Sequence, residues 1–517
     1  MKEKKRGIIP RKIKGFRDTD PGLNRIRWHI IEEAGRIYRL YGYEQWDTPA
    51  LEYADNLGKY LPDSDTVEEG IYSFQNPETE PALAEDGKEL RDDTDRVVME
   101  NHFLALRYDL TAPLARMYAE NLWHESRRGD IDTKRAPLFR RFQYGPVYRY
   151  EAKLDPGRFR EFWQIDFDTV GSDSPDVDAE TCAILAESME AIGLKRGTYT
   201  VKVNNRKVLK GFLQSLGIRE TEQEQSILRV IDKYDKIGLE GIRLELGKGR
   251  QDESGAKIPG LELDSRLIGS IGDLFVFYSG TETREEIITR LKDLPQGDLL
   301  NKGIEELELI GAALDSLGFK EDRIVFDPTL VRGMGYYTGP VFEVVSNSYF
   351  TDEKGRKRQV GSICGGGRYD DLVERLLGVS IPATGASIGV DRLAELLALT
   401  KQLPPETTGP VMIVVFDPQW MNEYNRIAGD LRSNGIPAEI YYGMQKGLKK
   451  QLTYADRKNS PFAIFLGEDE ITKGTVTVKN LRLGREVTGI RDKEEWKKKV
   501  QVEVERDRLA EYLKENI

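Results

Sequence analysis

Polar and apolar residues alternate along two neighbouring segments between Arg140 and Gly171, on either side of Asp155-Pro156-Gly157. A period of two gives a strand two different faces. The central tripeptide is typical of a turn, because proline fixes φ and glycine accepts positive φ. One face of the first strand would therefore present Arg149 and Glu151 together. The pattern predicts a β-hairpin with one strongly polar face.

The chain before this hairpin carries weaker patterns. Apolar residues recur at helical spacing from Leu23 to Tyr41, and Gly42 follows, which predicts a helix. The stretch from Gln45 to Glu52 favours a strand with a proline at an edge or bulge. The segment 77–95 is acidic and turn-rich, which indicates a loop or the tip of a hairpin.

Asp109 and Thr111 are two residues apart, so we expect them on one side of a further strand. On pattern alone, a threonine two residues after an aspartate is more often a strand end or helix cap than a binding site.

The character of the chain changes twice after the hairpin. From about Asn205 to Leu317, apolar residues at helical spacing predict a helical module. The proline-rich stretch from Leu403 to Pro410 is typical of a linker. The continuous apolar run from Val411 to Phe416 then favours a strand buried on both faces. The patterns that follow predict a helix that ends near 434, a second helix at 445–458, and strands at 438–442, 462–466 and 475–479. Together these elements indicate a small α/β domain.

The composition indicates a soluble protein of several domains. The 517 residues are 39% hydrophobic and 32% charged, and single cores stop growing at a few hundred residues. No apolar run approaches the length of a membrane span, and the basic start lacks the apolar segment of a signal peptide. We expect a cytoplasmic protein with no membrane partner. The net charge of -11 argues against indiscriminate nucleic-acid binding but is compatible with one specific RNA.

Cysteine and histidine usage narrows the chemistry further. Cys182 and Cys364 have apolar or glycine-rich surroundings and no partner spacing, so we expect buried thiols and no metal site built on protein thiolates. The three histidines, His29, His102 and His124, lie outside the polar hairpin, which argues against a histidine nucleophile or general base.

The residue types on the hairpin suit a polyphosphate nucleotide. Guanidinium groups bind phosphate oxygens, an aromatic ring stacks on the base, and a carboxylate supports the purine edge or a metal. On charge density alone, a solvated amphipathic hairpin explains the pattern equally well. The order Phe/Tyr-Arg-x-Glu, turn, Arg-x-x-x-Phe favours the nucleotide.

Several stretches resemble the motifs of one known family. Tyr148-Arg-Tyr-Glu151 with Gly157-Arg-Phe-Arg-Glu-Phe-Trp-Gln164 resembles motif 2 of the class II aminoacyl-tRNA synthetases in its histidyl form. The sequence LVRGMGYYT, ending at Thr338, resembles the histidine-site signature of that form. GGGRYD, ending at Asp370, resembles its glycine-rich loop, and ASIGVDR, ending at Arg392, resembles motif 3.

The resemblance implies an α+β fold: a class II synthetase-like antiparallel catalytic sheet with flanking helices, a helical insertion domain and a C-terminal α/β anticodon-binding domain. The implied catalytic domain comprises residues 1–204 and 318–402, the insertion 205–317 and the anticodon-binding domain 408–517. Gln45 to Glu52 resembles motif 1, which forms the subunit interface in this family, so a homodimer is implied.

The implied activity is that of a histidine–tRNA ligase. Histidine and ATP would give histidyl-adenylate and pyrophosphate, and histidine would then pass to the 3′ end of tRNA(His). A carboxylate is already a nucleophile at neutral pH, so attack on the α-phosphorus requires positioning and charge neutralisation rather than a base. Arginines and Mg²⁺ can supply both.

Motif positions imply the roles of the site residues. The implied catalytic residues are Arg149 and Arg332, which would hold the α-phosphate and the amino-acid carboxylate. The implied ATP-binding residues are Arg149, Glu151, Arg158, Phe162 and Arg392, and Phe162 would stack on adenine. The implied histidine-binding residues are Asp109, Thr111, Gln164, Asp168, Arg332, Tyr336, Tyr337 and Tyr369, and Asp168 and Tyr337 would read the imidazole. The implied tRNA-binding residues are Lys446, Lys449 and Lys450, for which a solvated helix face is the alternative.

The sequence departs from the family pattern at three points. Gly335 replaces the aspartate of the histidine-site signature, and Asp168 stands where many bacterial members have glutamate. The motif 2 turn, which includes Ala152 and Lys153, lacks an arginine common in bacterial relatives. It resembles an atypical set of bacterial enzymes whose tRNAs lack an extra 5′ guanosine, so we hypothesise that the extra guanosine contributes little here.

Three alternatives stay open. The chain could be a non-catalytic relative that regulates histidine biosynthesis, against which Arg149, Arg332, Arg392 and the C-terminal domain argue. It could activate histidine for a carrier other than tRNA, against which the basic C-terminal helix argues weakly. It could also be an RNA-binding structural protein, against which the set of phosphate-binding residues argues.

Overall fold

The computed structural model describes residues 9–58, 70–84, 87–92, 94–100, 102–125, 136–150, 158–251, 255–276, 278, 280–331, 337–351, 355, 357–359, 361–404, 408–444, 447–486 and 499–516. The chain divides into two compact units, Met1–Pro404 and Pro405–Ile517. The division falls inside the proline-rich stretch that the sequence marks as a linker. Within the described ranges, none of the helices is long and apolar enough to span a bilayer.

The first helix, α1 (Pro21–Leu40), begins where the sequence provides a cap. The side chain of Asp20 accepts a hydrogen bond from the backbone N–H of Leu23 at 2.8 Å, and proline occupies the first helical position. The helix ends at Leu40, and its C-cap residue Tyr41 is followed by Gly42 with a φ of 80°. Its buried face consists of Ile26, Arg27, Ile30, Ile31, Ala34, Gly35, Ile37 and Tyr38. The predicted helix is confirmed.

The single strand predicted from Gln45 to Glu52 is wrong in detail. The structure has two short strands there, β1 (Glu44–Gln45) and β2 (Leu51–Tyr53), which belong to different sheets. Pro49 lies between them and cannot donate to a strand ladder, which accounts for the interruption.

The other elements up to the middle of the chain are α2 (Ala54–Gly58), β3 (Ser73–Gln75), β4 (Glu80–Pro81), β5 (Met99–Glu100), β6 (Phe103–Leu106), α3 (Thr111–Glu125), β7 (Phe139–Tyr148), β8 (Glu161–Val170), α4 (Pro175–Ile192) and β9 (Tyr199–Asn205). Strands β7 and β8 pair in antiparallel register from Phe139↔Val170 to Tyr148↔Glu161, which confirms the hairpin. Its turn at 155–157 lies outside the described residues. Strands β4 and β5 also pair, so the acidic segment between them belongs to a hairpin.

The next part is mostly helical, as the sequence predicts: α5 (Arg206–Ser215), α6 (Thr221–Ile231), α7 (Tyr234–Leu246), β10 (Gly249–Gln251), β11 (Lys257–Pro259), α8 (Ser265–Val276), α9 (Arg284–Lys292) and α10 (Asp298–Ser316). The small hairpin of β10 and β11 is not predicted. Helix α10 packs on α4, α5 and β9, so this part shares its core with the main sheet. The boundaries of an insertion domain therefore stay a prediction.

The first unit ends with β12 (Ile324–Phe326), β13 (Pro340–Ser346), β14 (Tyr349–Thr351), β15 (Lys357–Gln359), β16 (Ser362–Arg368), α11 (Glu374–Leu377), β17 (Ala383–Gly389) and α12 (Val390–Leu399). An eight-stranded sheet has the order β1-β7-β8-β17-β16-β13-β9-β12. Neighbouring strands from β7 to β9 are antiparallel, and the outer strands β1 and β12 pair in parallel.

Strand β8 shows how the main sheet separates its core from its polar face. Ile165 and Phe167 are fully buried, and the Phe167 ring lies 4.6 Å from the ring of Tyr38 on α1. The alternate residues Gln164 and Asp168 must point to the opposite side. Helices α1, α4 and α12 contact the sheet, and α1 also packs against α4 and against α12. The two cysteines are buried free thiols, as predicted.

The second unit is a small α/β domain. Its elements are β18 (Val411–Ile413), α13 (Met421–Ser433), β19 (Ala438–Ile440), α14 (Leu448–Arg457), β20 (Phe462–Phe465), α15 (Glu468–Lys473), β21 (Thr475–Asn480), α16 (Leu481–Glu486), β22 (Gln501–Glu505) and α17 (Leu509–Asn516). The sheet order is β19-β18-β20-β21-β22. The apolar run at Val411 forms a fully buried strand between two parallel neighbours, as expected. Strand β22 and helix α17 are not predicted.

Candidate active site

A cavity of about 640 Å³ lies on the polar side of β8. Most of the residues implied for ATP and histidine line this one cavity: Asp109, Thr111, Arg149, Arg158, Phe162, Gln164, Asp168, Tyr337, Tyr369 and Arg392. Glu151, Arg332 and Tyr336 lie outside the described residues. Distant parts of the sequence therefore meet at one place in the first unit.

One part of the cavity carries arginines together with aromatic rings. The Nε of Arg149 donates to the carbonyl of Tyr108 at 3.1 Å. Its guanidinium lies 4.2 Å from the centroid of the Tyr108 ring and 5.3 Å from that of Phe162. Arg392 donates to the carbonyl of Ser362 at 2.6 Å. The hydrogen bond and the adjacent rings orient the planar fork of Arg149.

Another part of the cavity is a buried row of acceptors on β8. Gln164 donates to Ser387 Oγ at 2.7 Å, but its Oε1 has no hydrogen-bond partner. Asp166 Oδ1 also has no hydrogen-bond partner, and Asp168 Oδ2 has only an ion pair with Arg141; all three atoms are buried. An acceptor left unsatisfied in this way costs about 1–3 kcal/mol. The row is therefore suited to a ligand that brings N–H donors.

Asp168 is held by two neighbours. Tyr369 donates its hydroxyl to Oδ1, and Arg141 Nη2 lies 3.2 Å from Oδ2. Burial raises the pKa of Asp168, while the charge of Arg141 and the hydrogen bond from Tyr369 oppose that rise. The side chain of Tyr369 thus orients a carboxylate that lines the cavity.

Asp109 is placed differently from the prediction. It does not lie on a strand with Thr111, because it follows β6 in a turn and Thr111 begins α3. Its Oδ1 accepts from the backbone N–H groups of Thr111 at 3.1 Å and Ala112 at 2.9 Å. Asp109 therefore caps α3, which is the local role that the pattern alone favours, and it lines the cavity as well.

The glycine-rich segment also differs from expectation. The residues Gly365 to Gly367 form part of strand β16 and not a loop. A Cβ on Gly367 would lie 2.6 Å from the Tyr337 ring, and a Cβ on Gly385 would lie 2.3 Å from Asp168 Oδ1. These positions require glycine because cavity side chains occupy the space beside them.

Sequence reasoning missed several residues of the cavity. Asp166 lines it between Gln164 and Asp168, and the period of two along β8 could have indicated it. Arg141 is not in the lining but contacts Asp168, which it faces across the hairpin, so the pairing register was its only signal. Asp391 also lines the cavity, and its partners lie far away in sequence.

In the second unit, Lys449 and Lys450 are exposed in the first turn of α14, and Arg457 and Lys458 are exposed at its end. Lys446 lies outside the described residues. The basic helix is thus present at the surface, and its role in binding RNA stays a prediction.

Comparison with known proteins decides the family. Residues 77–393 match the model of the histidyl-tRNA synthetase family, and residues 410–516 match that of the anticodon-binding domain. The chain belongs to the histidyl-tRNA synthetase family. This family catalyses histidine activation and tRNA charging. The predicted resemblance and fold class are confirmed.

Relatives and solved structures agree with this family assignment. The chain is 42% identical over 503 residues to the histidine–tRNA ligase of Ruegeria pomeroyi, covering 97% of this chain and 96% of the relative. It is 43% identical over 509 residues to that of Caulobacter vibrioides, covering 98% and 96%. The crystal structure of the histidyl-tRNA synthetase from Nostoc sp. PCC 7120 matches with a TM-score of 0.69 and 29% identity, covering 99% and 100% of the two chains.

Proposed function

We propose that the chain is a histidine–tRNA ligase and that the cavity beside β8 forms histidyl-adenylate. The observation that carries the proposal is the meeting, in one cavity, of arginines together with aromatic rings and a buried row of acceptors. The first set suits ATP and the second suits the N–H groups of histidine.

The reaction would use the cavity as a positioning device. A carboxylate oxygen of histidine attacks the α-phosphorus of ATP, and the bond to the bridging oxygen breaks to release pyrophosphate. Arg149 would hold the α-phosphate, together with Arg332. Arg158 and Arg392 would hold the outer phosphates, and Phe162 would stack on adenine with Glu151 at its amino group. Charge neutralisation and alignment supply the rate, and no proton needs to be removed.

Histidine would lie at the acceptor row. Asp168 and Tyr337 would bind the imidazole, and Tyr369 would fix the rotamer of Asp168 through its hydroxyl. Gln164, Asp109 and Thr111 would surround the α-amino and carboxylate groups. A pocket that hydrogen-bonds the ring rejects apolar isosteres strongly, because such a ligand leaves buried polar groups unpaired.

ATP would enter as its Mg²⁺ complex. Glu343 is a half-buried carboxylate in the cavity lining, and oxygen donors of this type are those that Mg²⁺ prefers. Glu343 would therefore hold the ion on the phosphates, where it supplies further charge neutralisation.

Transfer to tRNA would follow in the cytoplasm. The 3′-terminal hydroxyl of tRNA(His) attacks the carbonyl of the adenylate, and AMP leaves. The anticodon-binding domain would contact the tRNA, with Lys449, Lys450 and Lys446 on the phosphates of the RNA.

Exchange of pyrophosphate into ATP, measured separately with each of the twenty amino acids, tests the proposal. We expect exchange with histidine alone. Exchange with another amino acid would contradict the assigned pocket. No exchange with any of them would favour the regulatory alternative.

A further inference from the structure

We infer that Arg17, in the segment before α1, is a positioning residue for the ATP end of the cavity, and that it acts through Asp391. This inference rests on the proposed function. Arg17 precedes residues 77–393, the part of the chain that matches the family model, and none of the family motifs includes it.

Asp391 joins three parts of the chain at the edge of the cavity. Its Oδ1 accepts from Arg17 Nη2 at 2.6 Å and from Arg27 Nη2 at 3.0 Å, and its Oδ2 accepts from the backbone N–H of Trp163 at 2.5 Å. Its side chain is only 2% exposed. Asp391 lies in the first turn of α12 and directly precedes Arg392. One carboxylate therefore ties the N-terminal segment to both β8 and α12.

The same segment also contacts the start of β8 directly. The Arg17 guanidinium lies 3.8 Å from the centroid of the Phe159 ring. The carbonyl of Gly15 accepts from the backbone N–H of Arg160 at 2.9 Å. Gly15 has a φ of 87°, and a Cβ there would lie 2.6 Å from the Arg160 side chain. Arg158 and Phe162, which we assign to ATP, belong to this short stretch of chain.

Charge explains why the arginine matters for ATP in particular. Asp391 lines the cavity beside Arg392, where the outer phosphates are proposed to bind. A buried carboxylate next to a polyphosphate would repel it unless cations neutralise the carboxylate. Arg27 is part of α1 and its side chain is 10% exposed, whereas that of Arg17 is 29% exposed. Arg17 is thus the more solvent-exposed of the two arginines that neutralise Asp391. Substituting Arg17 should therefore disturb the packing of the core less than substituting Arg27.

The test is steady-state pyrophosphate exchange by the full-length chain and its Arg17→Ala variant. The KM for ATP is measured at saturating histidine, and the KM for histidine at saturating ATP. We expect the KM for ATP to rise at least about tenfold and the KM for histidine to change by less than about twofold. Arg17→Lys keeps the charge but loses the planar contact with Phe159. Its KM for ATP should therefore lie between that of the unchanged chain and that of Arg17→Ala. Guanidinium chloride below denaturing concentrations should restore the alanine variant.

Lys12→Ala provides the matched control, because Lys12 is a cation of the same segment that pairs with the exposed Asp18. Its kinetic constants should equal those of the unchanged chain. A merely structural role for Arg17 would lower the melting temperature and the fraction of active sites while both KM values stay the same, or would shift both together. Either result, or an unchanged KM for ATP, overturns the inference. If instead the unchanged chain shows no histidine-dependent exchange, the proposed function itself fails, whatever the Arg17 variants do.

Discussion

Asp166 lies between Gln164 and Asp168 on β8, fully buried, with a hydrogen bond to Ser387 of β17. Burial, followed by the charge of Asp168, raises the pKa of Asp166 to about 8. Arg141 opposes that rise and Asp109 adds to it. The folded chain therefore holds a proton that the unfolded chain releases near its ordinary pKa of about 3.9. Between these values, the free energy of unfolding falls as the pH rises.

Replacing this carboxyl group with an amide should remove that pH dependence. We expect Asp166→Asn to gain stability relative to the unchanged ligand-free chain as the pH rises towards about 8, by at most about 1.4 kcal/mol per pH unit. Urea unfolding at several pH values between 5 and 8.5 measures the difference. The exposed Asp173→Asn is the control and should show no such trend. A difference for Asp166→Asn that stays constant with pH would contradict the assignment.

Elements with a strong local pattern could be predicted from the sequence. The hairpin of β7 and β8 and the buried strand β18 follow from periodicity and turn chemistry within short windows. The interrupted strand near Pro49 and the helix cap at Asp109 could not be predicted in this way. Each depends on the path of the neighbouring backbone, which no short window of sequence determines. The ion pair of Arg17 and Asp391 joins residues 374 positions apart. No local pattern could reveal such a contact.

The narrow spacing of β17 and β8 gives a second prediction. A Cβ on Gly385 would lie 2.3 Å from Asp168 Oδ1 and 2.5 Å from the carbonyl oxygen of Phe167, a backbone atom that cannot move without the strand. We expect Gly385→Ala to lower the free energy of unfolding by about 1–3 kcal/mol and to raise the KM for histidine more than that for ATP. Denaturant unfolding and exchange kinetics measure these effects.

Gly269→Ala is the control for this substitution, because nothing lies within 4 Å of a Cβ on Gly269, inside helix α8. It should raise stability by about 0.5–1 kcal/mol. A stability loss at Gly385 no greater than at Gly269 would show that the strands accommodate a side chain there.

The turn of the β7–β8 hairpin carries a prediction from residue types alone. Ala152 has no group for a phosphate, and Lys153 offers a point charge where an arginine would offer two parallel hydrogen bonds. We expect little dependence on an extra 5′ guanosine in tRNA(His). Aminoacylation of matched transcripts with and without that nucleotide measures it. A loss in kcat/KM greater than about tenfold, worth roughly 1.4 kcal/mol, would refute the prediction.

At the scale of the whole molecule, a second cavity suggests how copies of the chain associate. Apolar side chains of β2, β6, α3 and α11 line it, among them Leu51 and Trp123, which are 43% and 48% exposed. The motif 1 resemblance of Gln45 to Glu52 implies a subunit interface that includes Leu51. We therefore propose that a second copy of the chain covers it.

Light scattering after size exclusion tests the homodimer. We expect a mass of about twice the 58.9 kDa of one chain. Trp123→Glu should shift the protein towards one copy, because it would place a charge in an apolar contact. Leu309→Glu on α10 is the control, since Leu309 is 57% exposed and lies outside this cavity. A monomer for the unchanged chain, or equal effects of both variants, would contradict the proposal.

The most direct test of the proposed adenylation site is a crystal structure of the chain bound to a non-hydrolysable analogue of histidyl-adenylate. The account predicts the imidazole within hydrogen-bond distance of Asp168, the α-phosphate mimic beside Arg149, and the adenine ring stacked on Phe162. An analogue bound outside this cavity, or one with its imidazole at Arg149 and its adenine at Asp168, would contradict it.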